Sequence, residues 1–192
     1  MQLREVDRQT LLEQFRSVRL ASVAMCKPLS AEEHRIQPMA DASPPWWNLG
    51  HTSWFFVRNV IEPFGGERLP EDADFDFVLN SYYVSLGSRV PRPRRGLISR
   101  PTNDEIYRYR ATVDQRVEHL LETASDDRLE ELSFVLTVGM HHERQHQELF
   151  YTEIKNILYQ NPPPLRRPYR EIAAASPAAG PPGGWEFIEF EG

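Results

Sequence analysis

The segment from Asp126 to Tyr159 does most to limit what this chain can fold into. Val135, Val138, His142, His146, Leu149, Phe150 and Ile157 recur there at helical spacing and form one stripe. The spacing predicts a single long helix. Asn161-Pro162-Pro163-Pro164 stops it, because the residue before a proline is driven out of the α region. A stripe of that length needs partner helices along its whole run.

The sequence supplies three. Leu11, Leu12, Phe15, Val18, Ala21 and Met25 predict a first helix from about Glu5 to Met25. Ser43-Pro44 is a start signal, since serine caps and proline is tolerated at the first helical position. It opens an aromatic-rich helix from Trp46 to Ile61, ended by Pro63, Gly65 and Gly66. Thr102-Asn103-Asp104-Glu105 reads as a capping box. The stripe after it is Ile106, Tyr109, Val113, Val117 and Leu120. Lys27 to Ser43 is expected to be loop, with a turn of helix at Ser30 to Glu33. Leu69 to Arg100 is expected to be an irregular connection. The fold class expected is therefore all-α, a four-helix bundle with one long cross-connection. Bundles of this kind build metal sites from side chains that face the axis.

The bundle is expected to occupy residues 1–171. Residues 172–184 are rich in proline, glycine and alanine and read as a linker. Trp185 to Phe190 alternates in the manner of a strand. A strand that short needs partners, so 185–192 reads as the start of a second, incomplete domain.

The formal net charge of -6 gives no support to a nucleic-acid or membrane-surface role. Cys26 is the only cysteine, so neither an intrachain disulfide nor a thiolate metal cluster can form. A reducing cytoplasm fits this usage. Met1 to Thr10 is polar and charged, unlike a signal peptide. No run approaches the ~20 apolar residues that span a bilayer.

His142 and His146 differ by only ~40° around a helix, so both imidazoles can meet one ion. A hydrogen-bonded pair of core histidines has the same spacing. A third nitrogen must come from elsewhere, and His51 is the best candidate, with Gly50 beside it permitting close backbone approach. His34 lies in a loop, His141 is ~100° off the stripe, and His119 beside Glu118 reads as solvated. Glu143 and Gln145 each sit ~80° from the bisector, on opposite flanks, as candidate contacts around the ion. Glu148 lies ~140° away and cannot ligate it. Three neutral nitrogens leave an ion its full charge and open positions, which favours a catalytic over a closed structural site. Imidazole suits zinc, iron, nickel and copper alike.

His142-Glu143-Arg144-Gln145-His146 also matches H-E-x-x-H, the zinc-peptidase helix, with Glu143 as base. That pattern is short, and its extended downstream form is absent. Arg89, Arg92, Arg94, Arg95 and Arg100 crowd one loop. They suit a carboxylate-bearing ligand, and a solvated basic loop has the same composition.

At these residues the chain resembles a known family. The run Ser43-Pro44-Pro45-Trp46-Trp47-Asn48-Leu49-Gly50-His51-Thr52-Ser53-Trp54-Phe55-Phe56 is similar to the second-helix motif of the ergothioneine-biosynthesis sulfoxide synthases (EgtB-like proteins). So are Asn80-Ser81-Tyr82-Tyr83, the run from Arg92 to Pro101, and His142-Glu143-Arg144-Gln145-His146-Gln147-Glu148-Leu149. The likeness covers roughly Leu11 to Tyr169.

The resemblance implies a DinB-like four-helix bundle in which His51, His142 and His146 hold non-haem Fe(II). It implies O2-dependent joining of a thiol sulfur to the imidazole of trimethylhistidine, giving a sulfoxide. Gln145 would contact that substrate. Arg92 and Arg95, or less closely Arg89, would bind the carboxylates of a donor such as γ-glutamylcysteine or cysteine. The Trp-Trp-Asn-Leu-Gly variant resembles the selenoneine branch, whose donor is a selenosugar. Neither nucleic acid nor membrane is an expected partner. Two departures stand out: Val57 where the family usually has Glu, and His141 where Gln is common. Family members also carry a second domain, similar to formylglycine-generating enzymes, that supplies a catalytic tyrosine. Residues 185–192 would begin it, and the chain as given is expected to lack the rest. Besides the peptidase, a DinB-type thiol transferase using a metal-activated thiol is the alternative.

Overall fold

The computed structural model describes residues 7–81 and 88–169, and every regular element among them is helical. Helix α1 spans Arg8–Cys26, and the Asp7 carboxylate caps it by accepting from the backbone N–H groups of Gln9 and Thr10. Helix α2 spans Pro45–Phe56 and continues as one π-helical turn, Val57–Ile61. Helix α3 is Asp72–Val78, α4 is Asn103–Thr123 and α5 is Asp126–Gln160. The capping box at Thr102 and Glu105 is formed in full. Asp126 and Asp127 complement the dipole at the start of α5. No described helix is long and apolar enough to cross a membrane.

Helix α1 packs on α4 and α5, and α2 packs on the same two. Around the bundle the order is therefore α1, α5, α2, α4. The core between them holds Phe15, Trp46, Leu49, Phe56, Val113, Leu136, Met140 and Phe150. The seam between α2 and α5 is close. A Cβ added at Gly139 would lie 2.5 Å from the ring of Phe56.

Several sequence expectations need correction. Leu69 to Arg100 is not irregular throughout. It holds α3 and a 3-10 segment, Arg92–Leu97, both too short to show a period. Asp72 starts α3 by accepting from Leu69 N–H at 2.6 Å and from the Tyr109 hydroxyl at 3.1 Å. The helical turn expected at Ser30 to Glu33 lies at Glu33–Arg35. The buried line of α5 is also displaced from the predicted stripe. Leu132, Leu136, Met140, Phe150, Ile154 and Ile157 are buried, whereas Val138 and Leu149 are 45% and 42% exposed. His142 and His146 thus sit at the margin of the buried face, where they meet a cavity instead of the core. The linker and strand expected after residue 171 lie outside the described residues, as do Tyr82 and Tyr83.

Candidate metal centre

Helices α2 and α5 bring His51, His142 and His146 together, with one nitrogen of each within 4.8 Å of the others. The ring centroids are 5.1 Å apart for His51 and His142, 4.9 Å for His51 and His146, and 4.7 Å for His142 and His146. Gly50 lets neighbouring side chains close on α2: a Cβ there would lie 2.8 Å from Leu79 and 2.9 Å from Ile106. Trp47 stacks on His51 at 4.6 Å, and Phe55 stacks on His142 at 4.1 Å. These aromatic faces pack directly against the rings of His51 and His142.

Hydrogen bonds set the tautomers. His51 Nδ1–H donates to the Leu79 carbonyl at 2.6 Å, and His146 Nδ1–H donates to Asn48 Oδ1 at 2.9 Å. Each bond leaves Nε2 unprotonated and available. His142 Nδ1 is buried and has no hydrogen-bond partner among the described residues, a condition that an ion or an ordered water relieves. Burial, with His146 and His142 nearby, pushes His51 well below its usual pKa. Burial lowers His142 to about 4, and burial together with His142 lowers His146 to about 3. All three imidazoles are neutral at pH 7, the state a metal requires. The donor set therefore fits a divalent ion of the imidazole-binding kind.

The three rings line a cavity of about 510 Å³. Gln145, Arg92 and Arg95 line it too. Arg95 is buried and donates to Ser43 Oγ at 2.8 Å, with its guanidinium 3.4 Å from the centre of the Trp47 ring. Arg92 is half-buried and also donates to the Asp41 carbonyl. Arg89 is exposed and is not part of this lining. The other histidines lie elsewhere. His34 is buried against the Ser30 carbonyl and Tyr107, while His119 on α4 and His141 on α5 are both exposed.

Glu143 is not in the cavity. It is fully buried between α1 and α4, bonded to Arg19 at 2.8 Å, to Ser22 at 2.6 Å and to Arg110. Burial alone would raise its pKa, but Arg110 and Arg19 hold it at about 2. A carboxylate so sealed and so acidic cannot take a proton from an attacking water, so the H-E-x-x-H peptidase reading falls. Its place on the flank of α5 follows from spacing, but its surroundings do not.

Three participants escape the sequence reading. Asn48 is buried and accepts from His146, as above. Glu153, also buried, accepts from Asn48 Nδ2 at 2.5 Å and from Ser43 N–H at 2.9 Å. Burial raises its pKa to about 7, against the pull of those two donors. Ser43 does not cap α2, since Pro44 occupies the cap position. It bridges Glu153 and Arg95 instead. The available signal is register: Asn48 lies three residues before His51, and Glu153 lies seven after His146, so each shares a helix face with a candidate ligand.

Comparison with curated proteins finds no match. Residues 14–150 match the family model described as the DinB superfamily. With that match and three imidazoles converging inside an all-helical bundle, the chain belongs to the DinB superfamily.

Proposed function

We propose that the chain is the metal-binding portion of a non-haem iron(II), O2-dependent enzyme that joins sulfur, or selenium, to the imidazole of trimethylhistidine. The observation that carries the reading is that three imidazoles, two of them tautomer-fixed, share one cavity with an amide and two guanidiniums. His51, His142 and His146 would hold Fe(II), which supplies activation of O2 when bound. Arg92 and Arg95 take the carboxylates of a donor such as γ-glutamylcysteine or cysteine by paired charge-assisted hydrogen bonds. In the selenium variant the donor is a selenosugar. Gln145 is exposed on the cavity wall and orients the histidine-type substrate. The stacked Trp47 and Phe55 keep bulk water from the ligand point. In this reading a second domain, similar to formylglycine-generating enzymes, begins near Trp185 and supplies the catalytic tyrosine.

The test is metal analysis after anaerobic purification, with His142→Ala as control. The parent is expected to carry about one iron per chain and the variant far less. Equal iron in both overturns the reading. The same arginine-lined cavity also suits a zinc or nickel thiol transferase. Thiol-conjugate formation under strict exclusion of O2 would decide for that alternative.

A further inference from the structure

We propose that Glu153 is a positioning residue that sets the tautomer of His146 through Asn48. The relay runs His146 Nδ1–H to Asn48 Oδ1, then Asn48 Nδ2–H to Glu153 Oε2, with Ser43 N–H closing on Glu153 Oε1. Asn48 and Glu153 are 1% and 7% exposed, so water is a poor substitute for either partner.

The logic is that of donors and acceptors. An ionised carboxylate only accepts, so it draws the NH2 side of Asn48 toward itself. The Asn48 carbonyl oxygen is then left facing His146. An oxygen there requires a proton on His146 Nδ1, and Nε2 keeps its lone pair for the ligand point. The proposal rests on the metal-site reading for its purpose, but not for its geometry.

Glu153→Gln keeps size and shape and removes one acceptor. The introduced amide has a single oxygen for two donors. The Ser43 backbone N–H cannot turn, so it keeps that oxygen, and the new NH2 faces Asn48. Asn48 then rotates and presents its own NH2 to His146 Nδ1. The ring proton moves to Nε2, and the nitrogen aimed at the ligand point can no longer coordinate. The double variant Asn48→Asp/Glu153→Gln restores every polarity. The new carboxylate on α2 accepts from His146 Nδ1–H and from the new amide on α5, whose oxygen still accepts from Ser43. The count of buried carboxylates is unchanged.

The experiment uses the full chain at pH 8, where the Glu153 carboxylate is mostly ionised. Long-range proton–nitrogen NMR on metal-free protein reports the His146 tautomer, and Co(II) titration by visible absorption reports affinity. The parent is expected to show the Nδ1–H form. Glu153→Gln is expected to show the Nε2–H form with Co(II) binding weakened about 10–100-fold. The double variant is expected to return to the Nδ1–H form and to regain most of the affinity. A parental tautomer and affinity in Glu153→Gln overturns the proposal, as does a folded double variant that binds no better than the single. If Glu153→Gln does not fold, the double variant carries the test alone, and it must fold with the Nδ1–H form. A parent that takes up no Co(II) sinks the metal-site reading instead, and the NMR result still decides the relay.

Discussion

Glu143→Gln separates a hydrolytic glutamate from a structural one. In the folded chain Glu143 is 0% exposed, between Arg19 and Arg110, which are each 2% exposed. Asp114 is another acid paired with Arg19. Glutamine at 143 removes the central negative charge and turns an NH2 toward a guanidinium donor. Breaking a buried pair from one side costs about 3–5 kcal/mol. The depressed pKa gives a similar figure. A carboxylate at about 2 when folded, against about 4.3 when unfolded, contributes roughly 3 kcal/mol at neutral pH. At about 2–4 °C per kcal/mol for a chain of this size, the melting midpoint should fall by on the order of 10 °C. The assay is urea and thermal denaturation followed by far-UV circular dichroism, with Co(II) uptake measured well below the midpoint. Stability should drop while metal uptake in the folded fraction persists. A variant within about 0.5 kcal/mol of the parent, or one that loses a chelator-sensitive peptide hydrolysis, contradicts a structural role for Glu143.

Three further outcomes are expected. The metal-free chain should lose stability as pH falls from about 6.5, the usual histidine value, toward about 4, the folded value of His142. Unfolded imidazoles take up protons that the buried ones refuse, so a urea midpoint that stays flat over that window contradicts the buried-neutral assignment. Gly139→Ala should destabilise by about 1–3 kcal/mol, because its Cβ would press on the buried Phe56 ring; an unchanged midpoint shows that the seam yields. Arg92→Ala should weaken calorimetric binding of γ-glutamylcysteine to the metal-loaded chain by about tenfold or more. Arg89→Ala should leave that binding unchanged, and equal losses in both would show that the donor does not bind in the cavity.

The long helix, the capping box at Thr102 and the aromatic second helix are local patterns, legible in the sequence. The convergence of the three histidines is legible for the same reason. His142 and His146 declare a shared face by spacing alone, and His51 is drawn in by its neighbours. What stays hidden depends on the partner across the gap. Arg19 and Arg110 look like ordinary solvated arginines on α1 and α4 until Glu143 is seen between them. Glu143 itself carries a familiar motif that points the wrong way. Asn48 and Glu153 are polar residues whose burial follows from packing, which no period reveals. A stripe centred on the histidines places Val138 and Leu149 inward. The true core line is rotated away from them, by the demands of packing on both α1 and α2.

The two halves of the candidate metal centre come from distant parts of the chain: Asn48 and His146 are 98 residues apart yet hydrogen-bonded. An ion held there would act as a clasp between an early segment and a late one. Because it would bind only the closed form, each tenfold excess over its dissociation constant would add about 1.4 kcal/mol to the resistance of the whole bundle to opening. Scarcity of the ion in the cell would then shorten the lifetime of the protein as well as silence its chemistry.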